Sequence, residues 1–194
     1  MDVVSGTQEG LLPELCSKVA RYRHQVFVER LGWQLPTSDG AELDQFDRPD
    51  TIYVVAQESD GRIVGCARLL PTTRPYLLAE VFPQLLNGLP LPRSPDVWEL
   101  SRFSATDLTG QLPTARGQFS SPVAVRLLQA SIACAASHGA RRLITVSPIG
   151  VERLLQKARF HAYRAGPPVV VDGHPIIACW IEVETNYVGP DGNR

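Results

Sequence analysis

The 194-residue sequence predicts a mixed α/β fold, a mostly antiparallel sheet with helices on both faces. Three observations carry that expectation. A helical stripe opens the chain, a strand–turn–strand unit follows it, and strands then alternate with helices to the end. Hydrophobic residues make up 44% of the chain, enough for a sizeable core in a single domain spanning residues 1–194.

The elements follow in order. Leu12, Leu15, Val19, Tyr22 and Val26 recur at spacings of three and four, which places a helix over residues 12–31, stopped by Gly32. Residues 33–50 are too rich in turn formers to be regular. Residues 51–57 and 62–70 are strand-like, joined through Ser59-Asp60-Gly61, with Pro71 ending the second. Residues 77–86 suit a short helix limited by Pro83. Residues 97–104 read as a strand. Ser121 and Pro122 supply a capping hydroxyl and a first-turn proline for a helix that ends at Gly139. A strand over 142–147, a short helix over 150–158 and a closing strand over 176–184 complete the pattern.

Composition removes whole classes of function. A net charge of −1 supplies no global basic field for nucleic acid or an anionic membrane. No apolar run approaches the ~20 residues of a membrane span. The polar, acidic N-terminus lacks the pattern of a secretory signal, so a cytoplasmic protein is expected. Cys16, Cys66, Cys134 and Cys179 form no C-x-x-C pair and read as four buried thiols in a reducing compartment. The four histidines are dispersed, so no metal site is expected. No G-x-S-x-G, Walker loop or G-x-G-x-x-G occurs, which excludes serine-hydrolase and nucleotide-hydrolase chemistry of those types.

What remains is a set of charges in apolar surroundings. Arg23 lies one turn before Phe27; from spacing alone it reads as a solvated helix face. The run Glu42-Leu43-Asp44-Gln45-Phe46-Asp47 can hold a cation or an ammonium group, or form a solvated turn, and it lacks calcium-loop spacing. Arg68 interrupts an apolar strand and needs either a partner or an exposed edge. Trp98-Glu99-Leu100-Ser101-Arg102-Phe103 carries two opposite charges. Strict alternation sends Glu99 and Arg102 to opposite faces, so a shared site requires a bulge or splay in that strand.

The ordered set Arg23, Phe27, Trp33, Glu42-x-Asp44-x-x-Asp47, Arg68, Phe82 and Trp98–Phe103 resembles the acyl-homoserine lactone synthases, the autoinducer synthases of bacterial quorum sensing. The resemblance covers residues 21–166. It implies a fold like that of the N-acetyltransferases, and a reaction between S-adenosylmethionine, as substrate, and an acyl thioester on acyl carrier protein or CoA. No prosthetic group is implied. The amine attacks the thioester, and the methionyl carboxylate then displaces methylthioadenosine to close the lactone.

The resemblance also distributes roles. Glu99 is the expected general base, directly or through water, because a carboxylate in an apolar strand can have a raised pKa. Asp44 and Asp47 are expected to orient the ammonium and sulfonium groups. Arg23, Arg68 or Arg102 would bind the substrate carboxylate or hold the acids. Phe27, Trp33 and Phe82 would cover the adenosyl and pantetheine parts. Leu77, Phe103, Thr145, Ser147 and Phe160 would lie near the acyl chain, with ordinary core packing the competing role. Arg153 and Lys157, four apart on the short helix, would dock an acidic carrier.

Two other functions compete. A CoA-dependent N-acyltransferase of related fold would carry a [RQ]-x-x-G-x-[GA] loop, whose spacing residues 115–120 lack. A non-catalytic acyl-binding module would not require Glu99, the acidic run and the arginines together.

Overall fold

Strand β6 (Val97–Ser104) organises the molecule, pairing antiparallel with β5 (Ile63–Pro71) on one side and parallel with β7 (Arg142–Pro148) on the other. The computed structural model describes residues 1–108 and 121–183. The segment 115–120 and Glu184 lie outside the described residues. The remaining strands are β1 (Asp2–Thr7), β2 (Thr37–Ser38), β3 (Ala41–Glu42), β4 (Ile52–Gln57), β8 (Ala162–Arg164), β9 (Val169–Val171) and β10 (His174–Glu182). Among the described residues the main sheet runs β1-β4-β5-β6-β7-β10-β8, with β9 also on β10 and every pairing antiparallel except β6–β7. The mixed, mostly antiparallel expectation therefore holds.

Helices cover both faces. On one, α3 (Pro122–Ser137) and α4 (Val151–Lys157) bury Leu127, Leu128 and Leu155 against Val54, Leu69, Leu100, Leu143 and Cys179. Each such leucine contributes about 1.5–3 kcal/mol through burial. On the other face, α1 (Pro13–Arg23) packs Val19 and Tyr22 on Tyr53, Val55 and Cys66. Beside it, α2 (Leu77–Val81) and a 3₁₀ turn (Pro83–Leu86) pack Leu78, Leu85 and Leu86 on Leu70, Val97, Ile144 and Ala178. Among the described residues no helix is long and apolar enough to cross a membrane.

Punctuation residues act as their chemistry predicts. Ser121 Oγ accepts from the Ala124 N–H at 3.1 Å with Pro122 in the first turn, and Gly139 ends α3 at φ +87°. Asp60 accepts from the Arg62 N–H inside the β4–β5 turn.

Several expectations are corrected. The first helix does not run regularly through residues 12–31. Leu12 is its exposed N-cap, and from His24 to Arg30 the winding widens to a π-helix. The polar N-terminus is an edge strand, paired in register with β4, because its backbone rather than its side chains is what the sheet uses. Pro83 splits the 77–86 helix in two. Within the turn-rich 33–50 stretch, β2 and β3 form a small hairpin. The short strands β8 and β9 are too brief to show a period. Cys66 and Cys179 are buried, whereas Cys16 and Cys134 are only half-buried; all four are free thiols.

Gly65 marks where α3 meets the sheet. A Cβ there would lie 3.0 Å from Leu127 Cδ2 and 3.0 Å from the Ser104 carbonyl oxygen. Gly65→Ala is expected to destabilise the fold by about 1–3 kcal/mol through overpacking, read as a lower midpoint in urea.

Candidate active site

Arg68 is fully buried in the central strand β5, where an unpaired guanidinium would be prohibitive. Its side chain points to the face that carries α1 and α2, between their two apolar clusters. Two carboxylates meet it there. The two Nη atoms of Arg68 donate to Asp44 Oδ1 at 2.6 Å and Oδ2 at 3.1 Å, and Nη1 also donates to Asp47 Oδ1 at 3.1 Å. Its Nε donates to Ser101 Oγ at 3.0 Å.

Arg23 is equally buried and, from α1, shares Asp47 and adds Glu42 of the same acidic run. It donates through Nε to Glu42 Oε2 at 2.6 Å and through both Nη atoms to Asp47 at 2.7 and 2.9 Å. The solvated-face reading from spacing is therefore overturned: the acidic run folds over Arg23 and takes it out of water. Arg102 closes the set, its Nη2 donating to Glu42 Oε1 at 2.9 Å and Asp44 Oδ2 at 2.8 Å. Three cations and three anions thus form one fork-to-fork lattice. Backbone donors complete it: the Asp44 N–H reaches Asp47 Oδ2 at 2.7 Å and the Phe46 N–H reaches Asp44 Oδ1 at 2.8 Å.

Charge states follow from these contacts. Burial alone would raise the Asp47 pKa, but hydrogen bonds and charge from Arg23, then the charge of Arg68, hold it well below the usual carboxylate range. Glu42 is likewise lowered: burial is outweighed by Arg102 and Arg23. The Arg23 pKa is raised, because Asp47 and Glu42 outweigh its desolvation.

The face problem in β6 is solved by a bulge. Cys66 pairs with Ser104 but Arg68 pairs with Ser101, so two steps on β5 match three on β6. Arg102 takes the extra step at φ +52°, which turns its side chain to the same face as Ser101 and Glu99 and leaves Phe103 in the core under α3. The β6–β7 pairing is also confined to Val97–Glu99 with Arg142–Ile144, beyond which no ladder joins the strands. Both devices raised by the sequence, bulge and splay, are present.

Glu99 is completely buried at the last paired step. Its oxygens accept from the Leu78 N–H at 2.6 Å and the Leu77 N–H at 2.9 Å, the opening amides of α2. Burial pushes its pKa up to about 7, against the opposing pull of those two hydrogen bonds and of Arg68 and Arg102. It is therefore poised to exchange a proton near neutrality.

The aromatic and acyl residues divide unevenly. Phe27 and Trp33 stack with centroids 5.0 Å apart, and Arg102 lies over the Phe27 ring at 5.8 Å. Phe82 packs instead with Leu77 in the cluster beneath α2. Phe103 and Phe160 belong to the core under α3 and α4; Thr145, opposite Cys179, and Ser147, opposite Ile177, point to that same face. Leu77 is on the other side of the sheet, so the five expected acyl residues do not form one wall. Arg153 and Lys157 are both exposed on α4.

Two contributors escape a reading of the sequence. Tyr53 donates to Asp47 Oδ1 at 2.6 Å, and Ser101 accepts from Arg68. Tyr53 stands directly across from Arg68, but a bulge at Ala56/Gln57 shifts the register that the turn alone would give, which would have paired it with Ala67. Ser101 had a visible signal, being two residues from Glu99 and hence on its face.

Removing one cation breaks the lattice. Arg68→Ala is expected to destabilise the fold by about 3–5 kcal/mol, because Asp44 and Asp47 are left buried and underpaired. Asp47 and Glu42 bind protons less readily folded than unfolded, so their contribution is present above about pH 4 and lost as pH falls. Acid titration followed by circular dichroism checks both: the wild type should unfold on acidification, and Arg68→Ala at a higher pH.

Comparison with known proteins gives the same architecture a family. Residues 12–188 match the autoinducer synthase family. An acyl-homoserine-lactone synthase of Acinetobacter nosocomialis is 56% identical over 183 residues, covering 94% of this chain and all of that relative. The crystal structure of TofI in a ternary complex with an inhibitor and MTA superposes with a TM-score of 0.81 at 45% identity, over 95% of this chain and 92% of that one. A CoA-dependent acyl-homoserine lactone synthase, BjaI, with SAM and isopentyl-CoA, gives a TM-score of 0.80 at 27% identity, over 94% and 82%. Escherichia coli ElaA and a putative N-acetyltransferase from Lactobacillus plantarum share the fold alone, with TM-scores of 0.62 and 0.59, each at 14% identity. The family match over residues 12–188 and relatives aligned along nearly the whole chain make this protein, with its buried lattice of opposite charges, a member of the autoinducer synthase family, the acyl-homoserine-lactone synthases.

Proposed function

We propose that this chain acylates the amine of S-adenosylmethionine with a fatty acyl thioester and then closes the homoserine lactone. Glu99 carries the proposal: a buried carboxylate with a pKa near 7, set between the charge lattice and the gap between β6 and β7. The amine nitrogen must lose a proton to attack the thioester carbonyl. Glu99 accepts that proton, directly or through water, using the lone pairs its two backbone hydrogen bonds leave over. The C–S bond breaks and the donor thiol leaves with a proton. The methionyl carboxylate then attacks the sulfonium-bearing carbon, and methylthioadenosine departs with the bonding pair.

Among the six lattice charges, Asp44 and Arg102 retain the most side-chain exposure, 9% and 5%, against 2% or less for the other four. Asp44 and Arg102 therefore face the ammonium and carboxylate of the substrate. Arg23, Glu42, Arg68 and Asp47, saturated by one another, hold those two in place. Phe27 and Trp33 cover the adenosyl group, Phe82 borders the approach of the pantetheine arm, and Leu77 stands beside it where the acyl chain enters. The acyl chain passes between β6 and β7 towards Phe103, Thr145, Ser147 and Phe160, a route that accounts for its residues standing on two faces. Acyl carrier protein is the donor favoured by the exposed Arg153–Lys157 face, with acyl-CoA as the alternative. We place the reaction in the cytoplasm, where thiols stay reduced.

Glu99→Gln should lower kcat by roughly 10²–10⁴-fold while S-adenosylmethionine binding largely survives. In the wild type the carboxylate form grows as pH rises through about 7, so kcat/KM should climb between pH 6 and 8; the variant should lose that inflection. Lactone formation followed by mass spectrometry at several pH values decides it, and near-normal turnover in folded Glu99→Gln would remove Glu99 as the base.

Replacing Leu77 or Phe160 by a smaller residue should move preference towards longer acyl chains. Each methylene is worth about 1–3 kcal/mol in an apolar pocket, so the shift should be graded. Thr145→Val should matter only for donors bearing a 3-oxo or 3-hydroxy group. Competition between donors of different length in one reaction reads all three.

A further inference from the structure

Five non-glycine residues among the described ones have a positive φ. Asp39, Asn87 and Asp172 sit in turns, where short polar side chains tolerate that region. Arg102 takes it to join the charge lattice. Arg159, at φ +68°, has no such reason. It stands just past α4 in a Schellman stop: the Phe160 N–H bonds the Leu155 carbonyl at 3.0 Å and the Arg159 N–H bonds the Gln156 carbonyl at 3.0 Å. Phe160 and Leu155 are buried in the same core, which completes the motif. Glycine suits this position, and the Cβ of an arginine is disfavoured there.

We infer that Arg159 occupies the strained helix stop because its guanidinium extends the Arg153–Lys157 face into a three-cation surface for the acidic acyl carrier protein. The inference rests on the docking role proposed above for α4. Arg153, Lys157 and Arg159 are all exposed, and none makes an ion pair among the described residues. The one acid on this helix does not neutralise them. Glu152 is buried, accepting from the Gly150 N–H at 3.0 Å and from Arg164 Nε at 2.8 Å. Three unpaired cations within seven residues, on a helix anchored by its sole carboxylate, suit encounter with an acidic partner.

The test separates strain from recognition. Arg159→Gly should leave Tm unchanged or raise it by about 1–4 °C, since the helix stop relaxes. The ratio of kcat/KM for an acyl-loaded carrier protein to that for the same acyl group on CoA should fall roughly threefold or more at low salt. The difference should shrink as salt is raised. Arg159→Asn, which tolerates the same backbone, should repeat the fall, and Arg159→Lys should largely restore the ratio while keeping the strain. An unchanged ratio in Arg159→Gly and Arg159→Asn would overturn the inference, as would equal losses with both donors. Reversing Arg153 and Lys157 to Glu in parallel tells the two failures apart. If that variant loses carrier preference while the Arg159 variants do not, only Arg159 is misassigned; if it too keeps the ratio, the docking helix itself is wrong.

Discussion

Burying three guanidinium groups in one small protein is possible only if three carboxylates are delivered to them, and much of this structure follows from that demand. The acids come from a single short run, residues 42–47, while the arginines come from α1, β5 and β6. Each fork therefore ties an element distant in sequence to the same loop. The loop has little regular structure of its own, yet it is held at Glu42 by Arg23 and Arg102, at Asp44 by Arg68 and Arg102, and at Asp47 by Arg23 and Tyr53. The desolvation cost of six charges is offset only when all partners are present, so the lattice specifies one arrangement far more sharply than apolar packing would.

The second constraint is geometric. A strand presents alternate residues to opposite faces, but β6 sets Glu99, Ser101 and Arg102 on one face and Phe103 on the other. One residue in the left-handed region accomplishes this. The same strand loses its parallel partner after Glu99, so the sheet has a gap beside a fully buried carboxylate. Charge lies on one side of that gap and a deep apolar core on the other. The route proposed for the substrate, polar head on one side and hydrocarbon tail on the other, uses that division.

Much of this was legible in the sequence, for physical reasons that differ by element. Strand β6 matches its expected bounds and α3 stops just before Gly139, because Pro122, Gly139 and the apolar run 97–104 are strong local signals. Edge strand β1 was not legible, since an edge is stabilised by a neighbour's backbone rather than by its own pattern. The widening of α1 into a π-helix left no periodic trace over seven residues. Within the site, Arg68 signalled itself as a charge in an apolar strand. Arg23 did not, because a helix arginine looks the same whether water or a carboxylate run covers it. The division of the five expected acyl residues between two faces could not be read at all, since it depends on how β6 and β7 are placed against α2.

The balance of three positive against three negative charges in the lattice has one more consequence. Such a cluster behaves like a fragment of an ionic crystal: its field cancels within a few ångströms and presents neither a positive nor a negative basin to the solvent. A charged ligand gains little from being near it and much from being set into it, by exchanging one neighbour for another at its least buried corner, Asp44 and Arg102. Attraction at a distance is thus left to other surfaces of the protein, and this cluster discriminates only at contact, by the placement of opposite charges on one small frame.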